Sequence, residues 1–318
     1  MSLGHSHVKK PKVGDLKYAY FPGCVGQAMT LELHQSTTAV CAALGIELHE
    51  LHDATCTGAR DLHQTPLGDL RINKESPDLD VILNARTLSM AEELGMPLMT
   101  VCNTCTITIN SVNVRLQENK RLLQNTNTVL AQVGRKYSGT TVVKHFIQVM
   151  VEDFGVERLK PFITSPLHEV PIAPFYGCHS LRPPKYAMDD PEGPHLLDDL
   201  IRAVGATPID YGHKLSCCGF HIKLAEDDLA TLTAGDAISS AKAAGAAAQV
   251  MPCPLCHMAL DLWQADADKA RKEKLELPQL HAPQLIGLAI GLSPKELGMN
   301  HHMVDVKPLL ERANVKWK

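Results

Sequence analysis

The stretch Leu215-Ser216-Cys217-Cys218-Gly219-Phe220-His221 decides the organisation of this chain, because it carries two adjacent cysteines. Two adjacent thiols cannot both bind one ion in a small closed tetrahedral site without backbone strain, but they can reach different metal atoms of one cluster. Cys178 precedes this stretch, and Cys253-Pro254-Leu255-Cys256 follows it. Five cysteines from three places in the sequence are therefore expected to converge on one cofactor site.

A second, altered copy of this pattern lies earlier in the chain. Phe21-Pro22-Gly23-Cys24 resembles Phe175-Tyr176-Gly177-Cys178, and the span from Cys24 to Cys105 is close to that from Cys178 to Cys256. This self-similarity indicates an internal duplication. In each half the residue pattern predicts β-α-β-α-β, with every cysteine just past a strand. We therefore expect an α/β fold of two pseudo-repeated βαβαβ halves, with parallel sheets and metal clusters at the carboxyl ends of the strands.

The predicted elements divide the chain into four segments. Residues 1–15 are polar and are expected to form a flexible N-terminal arm, and residues 16–160 are expected to form a first cysteine-rich domain. Residues 161–174 contain four prolines and are predicted to be a linker, and residues 175–318 form the second cysteine-rich domain. Apolar residues at helical spacing predict a helix over residues 142–154.

Composition and charge exclude several classes of protein. With 318 residues, 45% of them hydrophobic, the chain is long enough for two domains with cores of their own. A net charge of −4 gives no electrostatic reason to expect nucleic acid as a partner. No apolar run approaches the roughly 20 residues that a membrane span needs, and the N-terminus lacks the apolar core of a signal peptide. We expect a cytoplasmic protein whose ten cysteines serve metal binding or catalysis rather than disulfides.

The number of thiols indicates which metal the second half binds. Thiolate sulfur suits both iron–sulfur clusters and zinc, but structural zinc takes four ligands. The second half offers five, which are Cys178, Cys217, Cys218, Cys253 and Cys256. An iron–sulfur assembly accommodates all five, and the alternatives are zinc or a cubane cluster with a spare thiol.

Four histidines flank the second-half cysteines, namely His179, His213, His221 and His257. Such a histidine can donate a hydrogen bond to cluster sulfur or a proton to a thiolate product. His257 directly follows Cys256 and is our candidate catalytic residue. The alternative for each of the four is an ordinary core or surface histidine.

The cysteine pattern Cys178-x38-Cys217-Cys218-Gly219-x33-Cys253-Pro-Leu-Cys256 resembles the cysteine-rich domain named after its Cys-Cys-Gly motif. The chain is similar to the B subunit of heterodisulfide reductases, and the likeness extends to Tyr176–Pro183 and Gln284–Ala289, over nearly all of residues 17–315. The resemblance implies a noncubane 4Fe-4S cluster on the five second-half cysteines, in which a three-iron and a two-iron unit share an iron and a sulfur.

The same resemblance implies an activity and partners. In that family the complex performs thiol–disulfide redox chemistry, with electrons relayed through a ferredoxin-like C subunit to a flavin-bearing A subunit. Versions of the complex in sulfur-oxidising prokaryotes act oxidatively on carrier-bound sulfur, and the altered first motif favours such a version here.

The first half departs from the family pattern. Thr57 stands where the second cysteine of the pair belongs, which leaves Cys24, Cys56, Cys102 and Cys105. A threonine hydroxyl stays protonated near neutral pH and is a poor metal ligand. Three occupants of this half therefore stay open: an ordinary or modified iron–sulfur cluster, zinc, or a noncubane cluster with a replacement ligand.

Two other functions also remain possible. The E subunit of some succinate dehydrogenases and the iron–sulfur subunits of glycolate or lactate oxidation complexes share this cysteine domain, so the chain could be an electron-transfer or docking subunit of a quinone-linked dehydrogenase. None of the predicted helices shows the strongly basic polar face expected of a membrane-surface helix. A zinc-stabilised scaffold without redox activity is the third possibility, and it leaves the adjacent cysteine pair unexplained.

Overall fold

The computed structural model of the chain describes residues 14–58 and 78–317, so nearly all of the predicted N-terminal arm lies outside it. Within the described residues, the first half has four strands: β1 (Lys17–Phe21), β2 (Glu47–Glu50), β3 (Leu98–Thr100) and β4 (Val143–His145). The helices of this half are α1 (Gly23–Ala28), α2 (Leu31–Ala43), α3 (Leu79–Glu93), α4 (Asn103–Glu118), α5 (Lys120–Leu130), α6 (Phe146–Gln148) and α7 (Val156–Leu159). A π-helical segment, Val149–Gly155, lies between the last two.

The second half repeats this arrangement. Its strands are β5 (Pro171–Pro174), β6 (Thr207–Pro208), β7 (Ala248–Met251) and β8 (Gln279–His281). Its α-helices are α8 (Leu196–Ala203), α9 (Asp227–Ala243), α10 (Pro254–His257), α11 (Gln264–Arg271), α12 (Ala282–Ala289) and α13 (Lys307–Arg312). None of the helices within residues 14–58 and 78–317 combines the length and the apolar character that a membrane span needs.

Both sheets are parallel throughout and have the same strand order, β2-β1-β3-β4 in the first half and β6-β5-β7-β8 in the second. The predicted α/β class with two repeated parallel sheets is thus confirmed. Each sheet has one strand more than predicted, because β4 and β8 also pair into the sheets. The first residues of the helix predicted over 142–154 belong to β4, since a three-residue strand directly before a helix is too short to interrupt the helical periodicity.

The segment that joins the halves is only partly a linker. Residues 161–174 carry the connection, but their last four residues form β5, which pairs with both β6 and β7. The prolines at positions 171 and 174 stand at the two ends of this strand, where proline interferes least with strand pairing.

Helices near the end of each half pack against the other half. α12 packs against α2 of the first half, and α6 and α7 pack against α8 of the second. One core cluster therefore contains Leu33 and Val40 together with Leu285 and Ile286. Both cores draw side chains from both halves, and β5 precedes the predicted start of the second domain at residue 175. The division into domains 16–160 and 175–318 stays a prediction.

Candidate metal centres

The ends of parallel strands position the cysteines. Cys24 and Cys102 follow β1 and β3, and Cys178 and Cys253 follow β5 and β7. Carboxyl ends of neighbouring parallel strands meet at one edge of a sheet, where α/β proteins place their ligand sites. Gly177 turns the chain there at φ +71°, and an added Cβ would lie 3.0 Å from the Sγ of Cys256. Glycine therefore lets the backbone approach the thiols closely.

The structure brings the five second-half cysteines together. The Sγ atoms of Cys178 and Cys217 are 4.0 Å apart. The thiol of Cys218 interacts with those of Cys217 and Cys256, and Cys256 also interacts with Cys253. Cys218, Cys253 and Cys256 are buried, whereas Cys217 is exposed and Cys178 is partly exposed. The group, which we call the second centre, thus has a buried base and one edge that faces solvent.

The four first-half cysteines form a matching first centre. The Sγ atoms of Cys24 and Cys56 are 3.5 Å apart, and the thiols of Cys102 and Cys105 interact. The Thr57 side chain is only 1% exposed, and its Oγ1 lies 3.6 Å from the Sγ of Cys105. In the second centre, Cys218 likewise contacts Cys256. Thr57 therefore occupies the position of a fifth thiol without supplying a sulfur.

The two centres adjoin each other. The Sγ of Cys102 lies 3.8 Å from the Sγ of Cys253, so the first cysteines of the two Cys-x-x-Cys turns are in contact. Leu255 of the second half lines the cavity of the first centre. In the opposite direction, Thr104 of the first half hydrogen-bonds to His179 over 2.9 Å. The cysteine spacing left open whether the two centres face each other or lie only within electron-transfer range, because each half has the same pattern whichever way the halves face.

Hydrogen bonds among the thiols shift their pKa values in opposite directions. Hydrogen bonds from Cys178 and Cys218 lower the pKa of Cys217, and donating to that thiolate raises the pKa of each donor. Burial raises the pKa of Cys253, but hydrogen bonds from thiols such as Cys102 outweigh it, so the net shift is well downward. Only some of these crowded thiols can ionise together unless a cation is present. The donor set is therefore suited to a metal centre, whose ligands must be thiolates.

His257 lies beside the second centre but faces away from its sulfurs. The ring is buried, its Nε2 is 3.3 Å from the carbonyl oxygen of Gln279, and its Nδ1 is 3.7 Å from Oε1 of Glu32. It stacks on the ring of His281 with 4.0 Å between centroids. Burial lowers the pKa of His257 well below its usual value. These contacts join the ring to Gln279, Glu32 and His281 and not to a cysteine sulfur. A catalytic role for His257 therefore stays a prediction without support from its surroundings.

Other histidines approach the exposed edge of the second centre. The rings of His179 and His221 are 5.0 Å apart, and His221 contributes to lowering the pKa of Cys217. The Oγ1 of Thr104 lies 3.5 Å from the Nε2 of His221, in addition to its contact with His179. The sequence did not distinguish these two histidines from His257, because the position of a histidine next to a cysteine does not indicate the direction in which its ring points.

Gly219, which completes the Cys-Cys-Gly turn, is expected to be intolerant of a side chain. Its φ is +81°, and an added Cβ would lie 2.7 Å from the carbonyl oxygen of Ala230. Gly219→Ala should therefore lower the free energy of unfolding by about 2–3 kcal/mol, measured by chemical denaturation of the metal-loaded protein.

Gly245→Ala is the matched control, because Gly245 has φ +88° but no atom within 4 Å of the added Cβ. It should show only the cost of the left-handed backbone, about 1 kcal/mol. Equal losses in the two variants would mean that the contact with Ala230 relaxes and does not constrain the turn.

A comparison with known protein families identifies the two cysteine-rich repeats. The profile of the family described as CCG, cysteine-rich domain, matches residues 18–110 and 172–261. The chain belongs to the CCG family. Each matched segment contains all the cysteines of one centre, and each ends before the fourth strand of its sheet.

Relatives of this CCG protein are similar along nearly their whole length. The 8-methylmenaquinol:fumarate reductase membrane anchor subunit of Wolinella succinogenes is 35% identical over 92% of this chain and 99% of its own. The B subunit of the ferredoxin/F420H2-dependent CoB-CoM heterodisulfide reductase of Methanosarcina acetivorans is 30% identical over 91% of this chain and 94% of its own.

A solved structure shares the fold of this CCG protein. The crystal structure of a hypothetical protein from Helicobacter pylori superposes with a TM-score of 0.68 at 15% identity. The superposition covers 95% of this chain but 55% of the Helicobacter pylori chain. At this identity the likeness extends to the fold alone.

Proposed function

We propose that the chain is an iron–sulfur redox subunit of an oxidoreductase complex, with a noncubane 4Fe-4S cluster on Cys178, Cys217, Cys218, Cys253 and Cys256. The observation that carries the proposal is the second centre, where five thiols meet and one edge faces solvent. Five soft ligands exceed what structural zinc uses and suit an iron–sulfur assembly. The exposed edge gives a substrate a direct approach to the cofactor.

The proposed reaction is redox chemistry of sulfur groups, either a disulfide or carrier-bound sulfur. Cleavage of a disulfide takes up two electrons and two protons and releases two thiols, and the oxidative direction reverses this balance. When bound, the cluster would supply or accept the electrons one at a time. His221 lies beside Cys217, and Thr104 contacts both the His221 and the His179 rings. These contacts support His179 and His221 as the residues that would hold or deliver protons.

The first centre is the proposed route for electrons from partner subunits. Its contact with the second centre, 3.8 Å between Cys102 and Cys253, leaves no intervening residue between the two sets of ligands. Cys24 and Cys56 are exposed, so a partner can approach the opposite end. The names of the Methanosarcina relatives support a heterodisulfide reductase-like complex. By the family resemblance, a ferredoxin-like C subunit and a flavin-bearing A subunit would be its cytoplasmic partners.

A second candidate is an electron-transfer or docking subunit of a quinone-linked complex, supported by the Wolinella succinogenes relative, which is named a membrane anchor subunit. Directly after the Cys-Cys-Gly turn, four large apolar side chains are exposed: Ile222, Leu224, Leu229 and Leu232. Acidic residues Glu226, Asp227 and Asp228 lie among them, which disfavours an anionic lipid surface and favours a protein partner.

Anaerobic titration of the purified protein with a small thiol, a disulfide or a quinol analogue distinguishes the sulfur-redox subunit from the docking subunit. If sulfur is the substrate, a small thiol added to the oxidised protein should change its paramagnetic resonance spectrum, because the substrate sulfur reaches the second centre directly. A quinol analogue should have no such effect without partner subunits. A spectrum that responds to neither thiol nor disulfide, with iron fully loaded, would contradict sulfur chemistry and leave the docking role as the better account.

A further inference from the structure

A second group of possible metal ligands lies behind the Cys-x-x-Cys turn of the second half. Glu32 is on α2 of the first half, His257 ends α10, and His281 ends β8. Their exposed fractions are 3%, 3% and 0%. Three side chains that are far apart in sequence thus meet in the interior, at the junction where α12 packs against α2.

The distances within this group suit one small divalent ion. Oε1 of Glu32 lies 3.2 Å from Nε2 of His281 and 3.7 Å from Nδ1 of His257. All three ligand atoms lie within 4.8 Å of one another. Zinc binds imidazole nitrogen and carboxylate oxygen at about 2.0–2.2 Å, so two ligands of a tetrahedral ion lie about 3.3 Å apart. Completing such a site requires the His257 and His281 rings, which stack with 4.0 Å between centroids, to turn so that a nitrogen of each points at the same ion.

The hydrogen bond of His257 also indicates a ligand. Only an N–H group can donate to the carbonyl oxygen of Gln279, so the proton of a neutral ring is on Nε2 and Nδ1 carries a lone pair. That lone pair faces the Glu32 carboxylate, which places two acceptors opposite each other. Metal-binding histidines characteristically donate their other ring N–H to a carbonyl or carboxylate, as here.

Charge balance favours a cation as well. In the part of the chain that the structure describes, the ion-pair contacts of Glu32 are with the His257 and His281 rings alone, and no lysine or arginine neutralises it. A buried carboxylate without a cation is destabilising. An ion held between the three atoms would neutralise it.

The corresponding positions of the first half show ordinary structural contacts instead. His145, the counterpart of His281, makes a 2.9 Å hydrogen bond through Nε2 to the carbonyl oxygen of Pro252 and accepts one at Nδ1 from the amide of Ile147. Thr106, the counterpart of His257, donates to the carbonyl oxygen of Cys102. The group around Glu32 is therefore not a by-product of the repeated fold.

We propose that Glu32, His257 and His281 bind a divalent transition-metal ion of the zinc type, distinct from the two cysteine centres. The ion would join α2 of the first half to the helix that begins directly after Cys253 and to the end of β8. It would thereby hold the turn that carries Cys253 and Cys256 against the opposite half. The proposal does not depend on the redox chemistry proposed above.

Zinc loading of the full-length protein tests this site. After anaerobic purification, incubation with zinc and removal of the excess, Glu32→Gln should bind about one zinc ion fewer per chain than the unaltered protein. The zinc-edge X-ray absorption spectrum of Glu32→Gln should lack the shell of nitrogen and oxygen ligands at about 2.0–2.1 Å from zinc. Any shell of sulfur ligands at about 2.3 Å, from zinc bound to cysteines, should be unchanged.

Glu50→Gln is the matched control, because Glu50 also faces two histidines, His34 and His52, but its side chain is 21% exposed and not fully buried. It should keep the full zinc content. A folded Glu32→Gln protein with unchanged zinc content and an unchanged nitrogen and oxygen shell would overturn the proposal. If that variant does not fold, crystals of the unaltered protein saturated with zinc decide the question, since absence of anomalous density between the three side chains would overturn it equally.

Discussion

Cys218→Ser is expected to remove or convert the cluster of the second centre while the first centre keeps its metal. Cys218 is buried between Cys217 and Cys256, so a hydroxyl there replaces one of five soft ligands in the interior of the site. A serine hydroxyl stays protonated near neutral pH and binds iron poorly. The iron and acid-labile sulfide of the second centre should fall several-fold, and its paramagnetic resonance signal should vanish or change type.

Cys41→Ser is the control for this substitution. Cys41 is 1% exposed within α2, among apolar side chains, and belongs to neither centre. It should lower stability, because it buries a hydroxyl, but should leave the iron content and the spectrum of the folded protein unchanged. If Cys218→Ser also leaves both unchanged, Cys218 is not a ligand and the five-thiol assignment fails.

Thr57→Cys is expected to turn the first centre into a five-thiol site like the second. Because Oγ1 of Thr57 already lies 3.6 Å from the Sγ of Cys105, a cysteine in the same rotamer would place its sulfur among the four existing thiols. The added thiolate should raise the iron bound per chain or change the cluster spectrum. Any zinc bound to the cysteines of this centre should fall in parallel, which metal analysis measures directly.

Thr37→Cys separates the effect of position from that of an extra thiol. Thr37 is also fully buried, but its hydroxyl donates to the carbonyl oxygen of Leu33 within the same helix. This variant should bind no additional iron. A folded Thr57→Cys protein with unchanged metal content would show that residue 57 does not select the cofactor, and that contacts around the ligands do.

Much of the fold was predictable because the cysteines mark the ends of strands. The duplication, the parallel sheets and the position of the centres at the carboxyl ends follow from motif order alone, since a parallel sheet brings those ends to one edge. The strands β4 and β8 were not predictable from the same patterns. Three residues are too few to show a period of two, and the helix that follows each strand dominates the local periodicity.

The amino-acid sequence by itself determined the composition of the centres: five thiols in the second half, four thiols and Thr57 in the first. Only the tertiary structure decided how these groups face one another. The contact between Cys102 and Cys253, and the meeting of Glu32 with His281, join residues from opposite halves. The physical reason is that motif spacing specifies the path of the chain within one repeat, whereas packing of α12 against α2 specifies how the repeats are oriented.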